Sequence, residues 1–249
     1  MGMTESNYAK ITGGLKREHK SFINLMPLQT GGILTDAARE ALMEFGDGYS
    51  VCDFCLGDLS NITNPPIKKF VHEFLPQFLG CEVATITHGA REAKFTIMHS
   101  LTKPGETIVV DGNRHYTTIV AAERVVLNVI EVPSSGYPEF KIDVNDYMPL
   151  IEKHHPKLIL LTYPDGNYGN LPDARRLGKI AAEYDVPYIL NGAYAVGRMP
   201  IKMDDVGADF IIGSAHKSMA SAGPCGVLGM KEKWEDILLR KSALYQNKE

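Results

Sequence analysis

The stretch that decides the fold is Ala208-Asp209-Phe210-Ile211-Ile212-Gly213-Ser214-Ala215-His216-Lys217-Ser218. Its first six residues are typical of a short buried β-strand, and the turn that follows carries Lys217. An amine at the end of a buried strand is poorly solvated and can attack the aldehyde of pyridoxal 5'-phosphate (PLP), while Ser214 and Ser218 offer hydroxyls near a phosphate. A single lysine at a strand end is more often a capping surface residue, so this interpretation depends on the rest of the chain.

Similar apolar runs of strand length lie upstream and alternate with helical patterns. The predicted strands are Val83–Thr87, Thr107–Val110, Leu158–Leu161 and Val186–Leu190, followed by Phe210–Ile212. Helices are predicted to begin near Ala90, Tyr116 and Asp173. Because the strands have no polar face, they indicate a mostly parallel sheet that is covered by helices on both faces. The chain is therefore predicted to be an α/β protein.

Two further helices flank this pattern. Asn64-Pro65-Pro66 predicts a helix N-terminus, and apolar residues continue at helical spacing until Pro76, which is expected to kink or end the helix. Near the other end, the segment from Lys231 to Leu239 predicts an amphipathic helix.

Composition limits the class of protein. The 249 residues carry a net charge of -4, which argues against broad electrostatic adhesion to nucleic acid. No run of about 18 apolar residues occurs, and the first residues lack an apolar signal core. The sequence therefore predicts a cytoplasmic protein that does not insert into membranes.

The four cysteines are too few and too scattered to predict a disulfide framework. Only Cys52-Asp53-Phe54-Cys55 has a suggestive spacing, and one C-x-x-C pair supplies at most half of a tetrahedral zinc site. The sequence thus predicts no metal, and it favours a redox or sulfur-carrying role for Cys52 and Cys55.

Four polar clusters follow predicted strands, where ligands of open α/β sheets bind. They are Thr87–Ala93, Asp111–Thr118, Tyr163–Asn170 and Asn191–Tyr194. In the first cluster, Gly89 lets backbone amides approach a phosphate and Arg91 adds positive charge, although a plain strand-to-helix turn has the same pattern. In the second, His115 or Tyr116 could stack on an aromatic cofactor, and a loop histidine with ordinary hydrogen bonds is the alternative.

In this order, with the lysine strand last, the clusters resemble the aspartate-aminotransferase fold (fold type I) of PLP-dependent transferases. Five segments resemble O-phosphoseryl-tRNA:cysteinyl-tRNA synthase, a methanogen-type archaeal enzyme family. These segments are Asn24–Gly32, Cys52–Cys55, His88–Ala93, Asn191–Pro200 and Gly213–Met219. The resemblance extends from about residue 22 to 235.

The resemblance implies a set of cofactor-binding residues, namely Ala90, Arg91, His115, Asn167, Asn191, Ser214, Ala215, His216 and Lys217. Within this set, Lys217 forms the Schiff base with PLP, His115 stacks on its ring and Asn167 reaches its 3-hydroxyl. The resemblance also makes Cys52 and Cys55 catalytic, because they match two essential cysteines of the family.

Asn191 departs from the broader fold, in which most members place an aspartate below the pyridine nitrogen. A neutral amide offers only a hydrogen bond, so it stabilises a carbanion less than a carboxylate does. Elimination of phosphate needs less stabilisation than transamination because its leaving group is good. Asn191 is therefore consistent with a phosphoserine substrate, and its alternative role is to cap a strand.

The implied reaction is a PLP-dependent β-replacement that converts O-phosphoseryl-tRNA(Cys) to cysteinyl-tRNA(Cys). Lys217 is the expected general base, and a persulfide on Cys52 or Cys55 is the expected sulfur carrier. The implied partners are the charged tRNA, phosphoseryl-tRNA synthetase, a sulfur donor protein or sulfide, and a second copy of the chain in a homodimer.

Two alternatives remain open at this point. A cysteine desulfurase or selenocysteine lyase would share the fold and cofactor, and a non-catalytic tRNA-holding or docking subunit would keep only the fold. The expected organisation is an N-terminal arm at 1–34 and a PLP-binding large domain at 35–249, without the small C-terminal domain that the fold usually carries.

Overall fold

Seven strands form one sheet in the computed structural model, which describes residues 32–44 and 66–240. The strands are β1 Val83–Thr87, β2 Thr107–Asp111, β3 Asn128–Val132, β4 Leu158–Thr162, β5 Tyr188–Asn191, β6 Phe210–Gly213 and β7 Gly226–Met230. Their order across the sheet is β1-β7-β6-β5-β4-β2-β3. All five predicted strands are present, and their observed bounds differ from the predicted ones by no more than two residues.

The pairing confirms a mostly parallel sheet. Strands β2 to β6 pair in parallel, with Leu160 opposite Val110 on one side and Ile189 on the other. β7 runs antiparallel to both of its neighbours, β1 and β6. β3 and β7 were not predicted, because β3 is a partly exposed edge strand and β7 contains Gly226 and Gly229, which weaken a strand pattern.

Helices precede the first strand, connect the strands and follow the last one. The described helices are α1 Asp36–Glu44, α2 Pro66–Lys69, α3 Leu75–Leu79, α4 Ala90–Leu101, α5 Tyr116–Arg124, α6 Tyr147–His154, α7 Ala174–Glu183, α8 Met203–Val206, α9 Ala215–Ser218 and α10 Glu235–Leu238. Asp173 caps α7 by accepting the backbone N–H of Arg176 at 2.9 Å. The predicted starts of α4, α5 and α7 are confirmed.

The structure narrows one helix prediction and corrects another. Pro76 was expected to kink or end its helix, and it does not end it, because a π-helical turn, Phe70–Phe74, joins α2 to α3 and the helix continues to Leu79. Proline donates no backbone hydrogen bond, and a wider turn just before it accommodates that loss. The segment from Lys231 to Leu239 is not one helix but a 3-10 turn, Glu232–Trp234, followed by α10.

The core consists of two apolar layers, one on each face of the sheet. Alternate residues of a strand face opposite layers, so Ile159 and Leu161 pack on one side while Leu158 and Leu160 pack on the other. Every residue of β4, β5 and β6 is buried. Burial of each large apolar side chain contributes roughly 1.5–3 kcal/mol, so this doubly covered sheet is the rigid part of the fold.

Within the described residues, each helix is too short or too polar to cross a bilayer.

Candidate active site

A cavity of about 410 Å³ lies where the strand ends carry the predicted site residues. Seven of the nine predicted cofactor-binding residues line it, namely Ala90, Arg91, His115, Asn191, Ser214, His216 and Lys217. They come from the N-termini of α4 and α5 and from the ends of β5 and β6. The fold therefore brings together residues that lie up to about 130 positions apart in the sequence.

Lys217 lies in α9, directly after β6, and is held from two directions. Its Nζ donates to the Tyr194 hydroxyl at 3.2 Å and lies 4.4 Å from the centroid of that ring. Arg198 Nη2 donates to the backbone oxygen of Lys217 at 2.6 Å, and the Ser218 hydroxyl donates to the Ala193 oxygen at 3.2 Å. The segment after β5 thus fixes both the backbone and the amine of Lys217.

The turn between β1 and α4 forms the end of the cavity that is best suited to an anion. Gly89 has a φ of 103°, and α4 is a twelve-residue helix whose N-terminus receives no side-chain cap from the described residues. Its first amides and helix dipole favour a negative charge. Arg91 adds a guanidinium that donates to the Tyr116 hydroxyl at 2.9 Å. A Cβ on Gly226 would lie 2.6 Å from the Gly89 Cα, so β7 packs directly against this turn.

Asn191 ends β5 and is 1% exposed. Its Oδ1 has no hydrogen-bond partner among the described residues, and neither has the Thr162 Oγ1, which also belongs to a lining residue. An unsatisfied buried polar atom costs about 1–3 kcal/mol, so both atoms favour a ligand that can hydrogen-bond to them.

His115 caps α5 from the opposite wall. Its Nδ1 lies 2.9 Å from the Thr117 Oγ1, and its ring centroid lies 4.5 Å from that of Tyr116. Burial lowers the pKa of His115 to about 4, and the positive charges of Lys94, Lys217 and Arg91 act in the same direction. The imidazole is therefore neutral at physiological pH.

Lys94 is a lining residue that the sequence analysis missed. It is 2% exposed, and its Nζ donates to the hydroxyls of Thr117 at 2.7 Å and Thr118 at 3.2 Å. Burial lowers the pKa of Lys94 to about 7, helped by the charge of Lys217. The available signal was its place beside Ala93 on the apolar side of α4, where a lysine is unusual.

Asp111, at the end of β2, was also given no role. It is buried, its Oδ2 accepts the Thr162 N–H at 2.8 Å, and its Oδ1 has no partner among the described residues. Burial raises the pKa of Asp111 to about 7, although the hydrogen bond from Thr162 opposes the shift.

The remaining predicted residues lie elsewhere. Asn167 is exposed in the loop after β4, where its backbone N–H donates to the Asp165 Oδ1 at 3.1 Å, and it does not line the cavity. Ala215 is buried beside the lining residues. Cys52 and Cys55 lie outside the described residues, so their roles, like that of Asn167, stay predictions.

Within residues 32–44 and 66–240 no group of three or more His, Cys, Asp or Glu could hold a metal.

The chemistry of the cavity is that of an anion site with a reactive amine. Among the described lining residues none is Asp or Glu, whereas Arg91, Lys94 and Lys217 carry or can carry positive charge. The same cavity offers a neutral imidazole for stacking and a buried amide with an unpartnered oxygen. A phosphorylated aromatic aldehyde would engage each of these groups.

Comparison with known proteins identifies related chains. The family model described as O-phosphoseryl-tRNA(Sec) selenium transferase, SepSecS, matches residues 58–249. The O-phospho-L-seryl-tRNA:Cys-tRNA synthase of Methanosarcina acetivorans is 54% identical over an alignment that covers all of this chain and 66% of the relative. The chain thus spans just under two thirds of the length of that relative.

Solved structures show the same fold. A crystal structure of a SepCysS–SepCysE N-terminal domain complex contains a chain that matches with a TM-score of 0.85 and 46% identity, over 96% of this chain and 63% of the other. The cysteine desulfurase of Thermococcus onnurineus matches with a TM-score of 0.67 and 20% identity, over 83% of this chain and 53% of the other, which is a likeness of fold alone. These matches confirm the fold type I architecture that the sequence predicts.

Proposed function

The chain belongs to the O-phosphoseryl-tRNA(Sec) selenium transferase (SepSecS) family, and from this membership we propose that it binds PLP at Lys217 and converts O-phosphoseryl-tRNA(Cys) to cysteinyl-tRNA(Cys). The family model is named for selenium and tRNA(Sec). The relatives that match nearly all of the chain at about half identity are named for Cys-tRNA, which favours cysteine as the product.

The observation that carries the proposal is the unpartnered oxygen of Asn191 in the same cavity as the amine of Lys217. The residues present fit PLP. The N-terminus of α4, Arg91 and Ser214 would hold its phosphate, His115 would stack on its ring and Asn191 would hydrogen-bond to its pyridine nitrogen.

When bound, PLP supplies an electron sink that makes the Cα–H bond of the substrate acidic. Lys217 Nζ would accept the Cα proton as general base, and the Tyr194 hydroxyl that it contacts would hold it in position. The Cβ–O bond then breaks and the phosphate leaves with the bonding electrons.

The new Cβ–S bond would come from a persulfide on Cys52 or Cys55. Transfer of its outer sulfur leaves a disulfide when the second cysteine attacks, and an external thiol reductant must then restore both thiols. In this proposal a sulfur donor protein transfers sulfane sulfur to one of the restored thiols. Alternatively, sulfide takes the place of the reductant, because its attack on the disulfide yields one persulfide and one thiol. Phosphoseryl-tRNA synthetase supplies the charged tRNA.

The proposal extends to assembly. The SepCysS chain to which this chain is similar was solved with SepCysE, so a protein of that type is a candidate partner. A homodimer and a cytoplasmic location complete the proposal, as the family resemblance and the composition imply.

Borohydride reduction of the PLP-treated protein, followed by peptide mass spectrometry, tests cofactor binding. We expect a pyridoxyl group on Lys217 and none at that position in Lys217→Ala. Modification of other lysines alone would refute the proposed site.

The substrate is tested by incubating the PLP-loaded protein with O-phosphoseryl-tRNA and a sulfur source, and separately with free cysteine. Cysteinyl-tRNA formation that falls in Cys52→Ala and Cys55→Ala supports the proposal. Sulfide and alanine release from free cysteine without tRNA would indicate a desulfurase, and PLP binding without either reaction would indicate a tRNA-holding subunit.

A further inference from the structure

Lys94, Thr117 and His115 form a continuous chain of hydrogen bonds along one wall of the cavity. The Lys94 Nζ lies 2.7 Å from the Thr117 Oγ1, which lies 2.9 Å from the His115 Nδ1. The backbone N–H of Thr117 also donates to the same Nδ1 at 3.3 Å. Two of these three residues are nearly inaccessible to solvent, since Lys94 is 2% and Thr117 is 6% exposed. We call this arrangement the Lys94–Thr117–His115 chain.

The direction of these bonds follows from the donors available. A lysine ammonium has three donors and no acceptor, so the Thr117 hydroxyl must accept from Lys94. Its own proton is then free to point at the His115 Nδ1. The backbone N–H of Thr117 can only donate, so the Nδ1 that it meets at 3.3 Å is an acceptor and carries no proton, and the free hydroxyl proton can donate to the same nitrogen. In a neutral imidazole the proton must then be on Nε2.

We propose that Lys94 is a positioning residue, which acts through the Thr117 hydroxyl to hold His115 as the neutral imidazole with its proton on Nε2. His115 is thereby presented to the cavity with one defined donor and one fixed ring orientation. This inference concerns the free protein and does not require that the proposed reaction be correct. It assigns a function to a buried lysine that the proposed reaction does not use.

The charges around the chain support the same arrangement. His115 faces the positive charges of Lys94, Lys217 and Arg91, which together with burial lower its pKa to about 4 and exclude the imidazolium at neutral pH. Lys94 itself faces Lys217 and Arg91, whose charges lower its pKa, and Asp111, whose charge raises it. When Lys94 loses its proton, its amine can accept from Thr117, and the hydroxyl is no longer forced towards His115.

The tautomer can be read directly from long-range ¹H–¹⁵N correlation spectra of the free protein labelled with ¹⁵N-histidine. His115→Gln identifies the signal of His115 among the eight histidines. We expect Nδ1 to resonate as an unprotonated nitrogen and Nε2 as a protonated one at pH 6. In Thr117→Val, where the hydroxyl is lost, the population of the Nδ1–H tautomer should rise about fivefold, which corresponds to the loss of one neutral hydrogen bond.

Thr118 provides a matched control, because its hydroxyl also accepts from Lys94. Its hydrogen bond to His115 runs from its backbone N–H to the His115 backbone oxygen at 2.9 Å, and valine keeps that bond. Thr118→Val should keep the wild-type tautomer, and Thr117→Ser, which restores a hydroxyl, should recover it. Lys94→Met should raise the Nδ1–H population and also move the pKa of His115 upward from about 4, because one positive charge is removed. Far-UV circular dichroism identifies any variant that fails to fold.

Three results would overturn the inference. They are a proton on Nδ1 of His115 in the wild type, an unchanged tautomer in folded Thr117→Val, or an equal change in Thr117→Val and Thr118→Val. The signals come from protein without PLP or substrate, so failure here is distinct from failure of the proposed function. A normal tautomer with no PLP binding would leave the positioning role intact and refute only the cofactor proposal.

Discussion

Asp111→Asn is expected to flatten the pH dependence of stability below pH 7. The carboxyl of Asp111 is buried at the end of β2, and burial raises its pKa to about 7 from 3.8. Asparagine keeps the shape and an oxygen that can accept the Thr162 N–H, but it cannot ionise. The substitution therefore removes the titration and leaves the packing in place.

The sign follows from proton linkage. The folded state binds the Asp111 proton more tightly than the unfolded state does. The contribution of Asp111 to the free energy of unfolding is therefore highest below pH 3.8 and falls as the pH rises towards 7. With about 1.4 kcal/mol for each unit of pKa difference, the full loss is about 4 kcal/mol above pH 7, of which about 2 kcal/mol falls between pH 5 and 7. Asp111→Asn should avoid that loss. In the wild type the charge of Asp111 raises the pKa of Lys94, and Asp111→Asn removes that charge. The pKa of Lys94 is then lower in the folded variant, so the stability of the variant rises further with pH and the difference from wild type becomes larger.

The assay is urea unfolding of wild type and variant at pH 5, 6 and 7. The stability of Asp111→Asn relative to wild type should increase by about 2 kcal/mol across that range. Asp173→Asn is a suitable control, because Asp173 is an exposed N-cap and asparagine caps a helix equally well. Parallel profiles for wild type and Asp111→Asn would show that Asp111 is ionised in the folded protein at pH 5, and would refute the reasoning.

Three further changes test other parts of the site. Gly226→Ala places a Cβ 2.6 Å from the Gly89 Cα, so the turn at Gly89 must move. If PLP binding has to reverse that movement, an overpacking cost of about 1–3 kcal/mol weakens binding by roughly 5- to 150-fold in an absorbance titration, and unchanged affinity is the contrary result. Asp165→Ala removes the acceptor of three backbone N–H groups and should lower the free energy of unfolding by about 1–3 kcal/mol in urea, whereas a loss below about 0.5 kcal/mol would show that water replaces it. Tyr194→Phe removes the hydroxyl that accepts from Lys217 and should slow PLP loading up to about tenfold by stopped-flow absorbance, with equal rates as the contrary result.

The parallel core was predictable because its strands are short apolar runs that need no distant information. Leu158–Thr162 and Phe210–Gly213 are buried on both faces, and their composition alone indicates this. The antiparallel strand β7 was not predictable in the same way. Its glycines are explained only by what lies beside them, since a Cβ on Gly229 would meet Cys81 at 2.7 Å.

Site residues were predictable where they lie at a strand end or within a few residues of it, and Lys94, which lies farther along a helix, was not. Asn191 ends a strand and His115 and Lys217 come four residues after one, and the edge of a parallel sheet brings such positions together. Lys94 reaches the cavity from the second turn of α4, and only the folded arrangement shows that its amine meets Thr117 from another helix. Asn167 also follows a strand, but its loop turns around Asp165 and leaves the side chain exposed, so its role stays a prediction.

The charge of the cavity links these observations. Arg91, Lys94 and Lys217 lie close enough that the charges of the other two lower the pKa of Lys94. The mutual repulsion of these charges lowers the stability of the free protein. The residues nevertheless stay close together, because their backbone is held by the doubly covered sheet. An anionic ligand would reverse the cost, since each phosphate oxygen placed among these groups offsets repulsion already present in the fold. Burial is the main reason that the pKa of Lys94 falls to about 7, and the placement of these charges adds to it. The same placement explains why phosphorylated molecules are the chemical class that this cavity favours.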